Sequence, residues 1–370
     1  MSRPERPIIS IYHDGSRSLE ELTEQLLETS GLEEILPSDR ESLIGIKPNL
    51  VVARPAHEGG TTHPEIVAGI IRYLHRRDYR NLMIVEGSWV GDRTSQAFRV
   101  CGYEKLSKEY AVPLFDTQKD SSFTQDVDGY SVSLCSITES IDFLINVPLL
   151  KGHCQTRYTG ALKNLKGLIP DSEKRRFHSR GLHEPIARLN QMLHQDCVVM
   201  DAICPDPTFE EGGDPSDMNR ILFATDPVLI DSYGASVIGY TDEDIPYIGR
   251  SEELHVGSLW NGSPDSILEI NDHGESGNYT QDERLAELES LIDENEACSS
   301  CYAALISALR QIEEPEVYRY AIGRFFRTGQ LPADQSDMVG IGACTRRFST
   351  SVGGCPPSSQ DIVEFLKQLS

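Results

Sequence analysis

Six short apolar runs, interleaved with segments of helical spacing, restrict the fold of this chain more than any other feature of its sequence. IISIY (Ile8 to Tyr12), LIGIKP (Leu43 to Pro48), NLMIVEG (Asn81 to Gly87), IDFLINVP (Ile141 to Pro148), CVVMDAI (Cys197 to Ile203) and RILFAT (Arg220 to Thr225) read as strands. Leu19 to Thr29, Pro64 to Arg77, Ser95 to Cys101, Glu184 to Leu193 and Pro227 to Gly239 carry apolar residues at helical spacing, with Pro64 and Pro227 suited to a first turn. Such alternation is the βαβ pattern, so the expected class is α/β: a mainly parallel sheet with flanking helices. A smaller C-terminal α/β subdomain containing cysteines is expected to follow it. The expected division is an α/β domain over 1–252, a Gly-, Ser-, Asn- and Asp-rich linker or surface loop over 253–281, and the subdomain over 282–370. Within the last part the pattern predicts helices at Asp282 to Asn295, through Arg310, at Pro315 to Arg327 and from about Ser358, with MVGIGAC as a strand.

Charge and cysteine usage narrow the function classes. A net charge of −24 repels phosphodiester backbones and anionic membrane surfaces, so neither nucleic acid nor membrane is an expected partner. The longest apolar runs, such as Ile141 to Leu150 and Ile221 to Ala224, are interrupted by Asp, Asn or Pro well short of the roughly 20 residues that a membrane span needs. MSRPERPIISIYHDG has no apolar stretch of signal-peptide length, and a cytoplasmic location is expected. In that compartment nine Cys serve as thiols, metal ligands or redox groups rather than disulfides.

Four of these cysteines have ligand spacing. Cys298 and Cys301 form CSSC, Cys344 ends GIGAC, and Cys355 lies in GGCPP. A C-x2-C pair brings two thiolates to one metal centre, and two more Cys at a strand end and a helix entrance complete a four-sulfur site. The GCPP context favours a [4Fe-4S] cluster, with structural zinc as the alternative ligand-bound state and free thiols or a redox disulfide as the unligated one. Core packing accounts for Cys101, Cys135 and Cys197.

A second concentration is cationic. The chain has only nine Lys, yet Lys151, Lys163, Lys166 and Lys174 fall in one short segment, joined by Arg157, Arg175, Arg176, His153 and His178. In an acidic protein this segment makes a positive funnel for a carboxylate or phosphate. Lys151 follows the strand IDFLINVP, and open α/β sheets bind ligands beyond the carboxyl ends of their strands. Lys47 and Asn49 follow another strand, and the loop after them ends in Thr62 and His63 before Pro64, a candidate anion cradle at a helix start. Lys47, Asn49, Thr62, His63, Lys163 and Lys166 are therefore the expected anion-binding set. Glu86, His178, Lys151 and His153 are the candidate catalytic groups. Asp226, before Pro227, suits an N-cap better than a catalyst.

At these residues the chain resembles the family catalogued as domain of unknown function 362. The resemblance is carried by IKPNL (Ile46 to Leu50), THPEIV (Thr62 to Val67), VEGS (Val85 to Ser88), CGYEKL (Cys101 to Leu106), INVPLLKGH (Ile145 to His153), TGALKNLKG (Thr159 to Gly167), FH (Phe177, His178), the VVMDAI strand, EGGDP (Glu211 to Pro215) and ATDPVLID (Ala224 to Asp231). It implies an α/β fold and an iron-sulfur protein of unassigned chemistry. The repeated C-x2-C-x2-C-x3-CP run of its ferredoxin-bearing members is missing here, which argues for one cluster. The IKPN and THPE elements also look like those of the nickel-dependent lactate racemase family, a likeness at the level of the fold.

The leading expectation is an iron-sulfur redox protein passing electrons from one [4Fe-4S] cluster to a redox partner protein or a small anionic ligand. The alternative is an acid/base enzyme of the isomerase, hydrolase or ligase type, acting on a small carboxylate or phosphorylated substrate and carrying a structural metal site. Either is compatible with a homodimer.

Overall fold

The computed structural model describes residues 7–153, 155–271, 283–295, 297 and 299–369. These residues form two compact units, one drawn from 1–177 and 182–279 and the other from 178–181 and 280–370.

In chain order the strands of the first unit are β1 (Ile8–Tyr12), β2 (Ile44–Pro48), β3 (Leu82–Glu86), β4 (Leu114–Asp116), β5 (Ser122–Val127), β6 (Tyr130–Cys135), β7 (Phe143–Val147), β8 (Lys151–His153), β9 (Arg157–Thr159), β10 (Cys197–Ala202), β11 (Arg220–Ala224) and β12 (Ile267–Glu269). Eight of them build one sheet in the order β12-β1-β11-β10-β7-β2-β3-β4. Neighbours pair parallel except at β11, which runs antiparallel to both β1 and β10. β5 with β6, and β8 with β9, form separate antiparallel hairpins.

The helices are α1 (Leu19–Thr29), α2 (Pro64–His75), α3 (Thr94–Val100), α4 (Tyr103–Tyr110), α5 (Ala161–Asn164), α6 (Asp171–Ser179), α7 (His183–Met192), α8 (Pro227–Val237) and α9 (Pro246–Glu253). They cover both faces of the sheet, which is why its central strands are apolar at nearly every position rather than at alternate ones. On one face Ile44, Ile46, Ile84, Ile145 and Val199 meet Leu22, Leu26, Ile66 and Ile70 of α1 and α2. On the other, Leu144, Val198, Met200 and Leu222 meet Leu162, Ile186, Leu189 and Ile230 of α5, α7 and α8.

This two-sided winding fixes where a ligand can sit. From β2 the chain crosses by α2 to β3 on one side of it, while β7, on its other side, leads through α5 and α7 to β10. Loops leaving β2 and β7 therefore diverge to opposite faces, opening a crevice at the carboxyl ends of these two strands.

The region expected as a linker contributes to the sheet instead. Ile267–Glu269 pairs with β1 as an edge strand, and Arg220 Nη1 donates to Glu269 Oε1 at 2.9 Å. The remainder of that expected linker, from 272, lies outside the described residues. β4, the two hairpins and α4 were not foreseen; β8 and β9 are only three residues each, too short to show periodicity.

The second unit carries a parallel four-stranded sheet, β13 (Ile292–Glu294), β14 (Arg319–Ile322), β15 (Met338–Ile341) and β16 (Ser351–Val352), in that order. Its helices are α10 (Glu283–Ser290), α11 (Ser299–Leu309) and α12 (Ser359–Leu369). The helix expected at Pro315 to Arg327 is a correction: its middle is β14, pairing with β13 and β15, between single 3-10 turns. Gly323, at φ 134°, takes the chain out of helical conformation there, and a Cβ on it would meet the Asn295 backbone. The acidic helix likewise stops at Ser290, because Ile292–Glu294 is taken up by pairing with β14.

Among the described residues, no helix is long and apolar enough to cross a membrane. Asp226 caps α8, accepting from Val228 N at 2.8 Å and Leu229 N at 3.1 Å, and its second oxygen accepts from Ser258 N at 2.9 Å. Asp226→Ala is expected to lower the unfolding free energy by about 1–2 kcal/mol in urea titration, with Asp226→Asn costing less.

Candidate functional site

A cavity of about 60 Å³ opens at the crevice, lined among others by Asn49, Glu86, Lys151, Lys163, Lys166 and Glu210. β2 delivers Lys47 and Asn49, β3 delivers Glu86, and β7 leads into Lys151. The turn of α5 and the residues after it supply Lys163, Asn164 and Lys166, while Lys174 comes from α6.

Three of these lysines are fully engaged by the fold. Lys47 Nζ meets Glu86 Oε2 at 2.5 Å, Pro48 O at 3.1 Å and Asn164 Oδ1 at 3.3 Å. Lys151 Nζ donates to Asn49 Oδ1 at 2.8 Å, Gly60 O at 2.6 Å and Glu210 O at 2.7 Å. Lys174 Nζ donates to Gly87 O at 3.1 Å, Ser88 O at 2.9 Å and Asp171 Oδ1 at 3.2 Å. An ammonium has three protons, and each of these nitrogens has three acceptors. Burial pulls the Lys47 ammonium down against the pull of Glu86, and brings Lys151 to about 7.

Lys163 and Lys166 share the cavity wall. Lys163 Nζ donates to Thr159 Oγ1 at 3.0 Å and to Glu210 Oε2 at 3.3 Å. Lys166 is half-buried on the cavity wall, and burial with the adjacent Lys163 and Lys174 lowers it to about 7. Glu210 is the balancing anion. Burial would raise its carboxyl, but His153, Lys163 and Lys166 outweigh that and hold it well below the usual carboxylate range.

His153 is buried behind Glu210. Burial pulls its imidazole down to about 4 against the pull of Glu210. Its Nδ1 accepts the Gln155 and Thr156 backbone N–H groups at 3.0 Å each, which puts the ring proton on Nε2. That nitrogen lies 2.8 Å from Glu210 Oε2 but off the line of a hydrogen bond. His153 therefore stands against Glu210 without lining the cavity.

The expected cradle at Thr62 and His63 is already occupied by the protein. Thr62 Oγ1 accepts from Asn49 N and donates to Val147 O, both at 2.9 Å. The His63 backbone N–H and Nδ1 both face Asp201 Oδ2 at 2.8 Å. Asp201 outweighs burial and raises His63 to about 11. An internal carboxylate therefore fills the place expected for a ligand. His178 groups with the second unit, where Arg324 Nη2 donates to its carbonyl at 3.4 Å.

Asn146, Thr159, Asn164 and Glu210 were missed from sequence. Asn164 links Lys47, Asn49 and Asn146, accepting from the first two and donating to Asn146 Oδ1 at 2.7 Å. Only its position in TGALKNLKG, between two lysines, marked it.

In the second unit Cys301 stands in the first turn of α11, Cys344 in the turn after β15, and Cys355 beyond β16, exposed. A Cβ at Gly342 would lie 3.6 Å from Cys301 Sγ and 3.5 Å from Gly354 O, so the backbone runs close to that thiol. Arg327 Nε donates to Cys344 Sγ at 3.2 Å. Cys298 lies outside the described residues. Among the described residues no three His, Cys, Asp or Glu side chains are gathered as a metal ligand set, so the three described thiols do not by themselves make one.

The model of the family described as Domain of unknown function (DUF362) matches residues 44–236, more than half of the chain. The chain belongs to this family. Every residue lining the cavity falls within the DUF362 segment, whereas the four C-terminal cysteines fall beyond it. A thylakoid-associated protein of Synechocystis is 25% identical over 240 residues, which are 60% of this chain and 69% of that protein. Among solved structures, the lactate racemase apoprotein of Thermoanaerobacterium thermosaccharolyticum aligns at TM-score 0.37 and 12% identity over 54% of this chain. A Thermotoga maritima protein aligns at TM-score 0.35 and 12% identity over 63% of it. This DUF362 chain spans 52% and 59% of those two structures.

The buried Lys47–Glu86 pair gives a direct test of the cavity floor. Lys47→Met is expected to destabilise by about 3–5 kcal/mol, because it strands a buried carboxylate. Adding Glu86→Gln should recover part of that loss, as read by urea unfolding of both variants.

Proposed function

We propose that this protein is an acid–base enzyme acting on a small carboxylate or phosphorylated substrate in the lysine-lined cavity. The observation that carries the reading is the gathering of four lysines, Lys151, Lys163, Lys166 and Lys174, with the carboxylates of Glu86 and Glu210, on the wall of one cavity. A cavity of about 60 Å³ admits the head group of a small acid and is far below the roughly 300 Å³ of a drug-sized site.

In this reading Lys163, steadied by Thr159 and Glu210, binds the anionic group, and Asn49 and Ser88 orient it. Lys166, at about 7, exchanges a proton with the substrate at neutral pH, as ammonium acid or amine base. Glu86 accepts from Gly87 N at 2.9 Å and from Lys47, so it shapes the wall rather than moving protons. Lys151 and His153 are positioning residues.

The charge on Lys166 is lost as pH rises through about 7, so anion affinity is expected to fall between pH 6 and pH 8. Titration calorimetry with inorganic phosphate and a panel of small organic acids should show Lys166→Met weakening binding about 10–100-fold at pH 6. Lys166→Arg should flatten the pH dependence. If no anion in the panel binds the unaltered protein at pH 6, the proposal fails.

We propose a second reading for the C-terminal unit, one [4Fe-4S] cluster on Cys298, Cys301, Cys344 and Cys355 that exchanges electrons with a partner protein, with zinc as the alternative metal. It is supported by the common origin of Cys344 and Cys355 beyond the carboxyl ends of adjacent parallel strands, and by the close backbone at Gly342. An all-thiolate donor set suits either metal. Anaerobically purified protein is expected to hold about four irons and four sulfides per chain, lost on any single Cys→Ser change. Stoichiometric zinc would replace the cluster, and four serine variants with unchanged metal would remove the site.

A further inference from the structure

Away from the cavity, three side chains of the first unit stand in line. Asp201, at the end of β10 and fully buried, faces His63 Nδ1 at 2.8 Å. The other ring nitrogen, Nε2, faces Cys204 Sγ at 3.6 Å, the same distance as Sγ to Ala56 O. A carboxylate that orients an imidazole, and an imidazole that addresses a sulfur, are the parts of a nucleophilic triad. A metal does not fit, because Asp201 and Cys204 sit on opposite ring nitrogens instead of converging, in keeping with the absence of any ligand group among the described residues.

Among the described residues, the other buried thiols of the first unit face backbone where a contact is seen: Cys101 the carbonyls of Val52 and Arg54, and Cys135 that of Thr117. Cys204 retains 9% exposure, against 4%, 0% and 0% for Cys101, Cys135 and Cys197. From α4, Tyr103 reaches the same corner, its hydroxyl donating to Thr62 O at 3.1 Å.

We propose that Cys204 is a nucleophilic thiol, set by His63 and Asp201, that takes a small electrophilic carbonyl compound. The Cys204 thiol gives its proton to solvent, which later returns one to His63; the sulfur forms a bond to the carbonyl carbon, and the C=O π pair moves onto oxygen. That oxygen takes the proton from His63 Nε2, giving a hemithioacetal without oxidant or reductant. Asp201 keeps His63 charged until that transfer, while burial holds Cys101 at about 11 and Tyr103 well above its ordinary value, so both stay neutral beside it. The inference goes beyond the cavity reading and uses none of its lysines.

The full chain would be treated with iodoacetamide at pH 7 and each cysteine followed by mass spectrometry. In that probe reaction the S–C bond forms, iodide leaves with the C–I pair and the thiol proton passes to buffer. Cys204 is expected to react at least tenfold faster than Cys101, Cys135 and Cys197, and His63→Gln to remove that advantage. Prior incubation with acetaldehyde should slow Cys204 alone. A Cys204 advantage below tenfold in the unaltered protein overturns the proposal, and this comparison stands even where His63→Gln does not fold. An advantage that survives in folded His63→Gln, or a lack of aldehyde protection, also overturns it.

Discussion

The Lys151 ammonium is the joint on which the candidate site depends. Its three hydrogen bonds tie the end of β2, the Gly60 loop and the Glu210 loop to the strand that follows β7. Backbone hydrogen bonds join the same segments, Gly152 N to Asp206 O at 2.9 Å, Asp206 N to Gly59 O at 3.1 Å and Thr62 N to Asn49 O at 2.9 Å. An amide network continues from there, Asn49 to Asn164 to Asn146 to Gln195, every step between 2.6 and 2.9 Å. In a low-dielectric interior such a chain rigidifies what it connects, because each member left unpaired would carry the full cost of desolvation. The cavity walls are thereby held in place before any ligand arrives.

Position in the fold follows from the winding of the sheet. β2 and β7 are neighbours whose outgoing connections part toward α2 on one face and α5 on the other. Both helices and both strands are ordinary; the opening arises from their order. That also explains how an acidic chain collects its scarce lysines at one point, where two carboxylates, Glu86 and Glu210, offset part of their charge.

Periodicity made much of the first unit legible: β1 and α1 fall where the apolar spacing put them, and the other expected elements shift by a residue or two, whereas α4, α6 and α9 had no counterpart among the expected helices. The sheet edges and the β8–β9 hairpin were not legible, since three-residue strands such as β8 and β12 have no period to detect, while β5 and β6, six residues each, are largely polar and half-buried and gave no apolar run. The misread stretch at Pro315 to Arg327 shows the limit from another side. RYAI suits a helix or a strand, and only pairing with β13 and β15 decides between them. For the site, residue type announced the lysines but not their roles. Lys151 and Lys166 look alike in sequence, and the acceptors around Lys151 come from residues 49, 60 and 210, far away along the chain. His63 was noticed for its place before Pro64, and its partners Asp201 and Cys204 lie more than a hundred residues on.

Lys151 and Lys174 line the cavity and are also tied by three acceptors each, so part of its wall is made of side chains that the fold itself needs. A change at either of these two lysines is therefore felt in the scaffold as well as at the opening, and what the crevice can accept is bound up with what keeps its strands together.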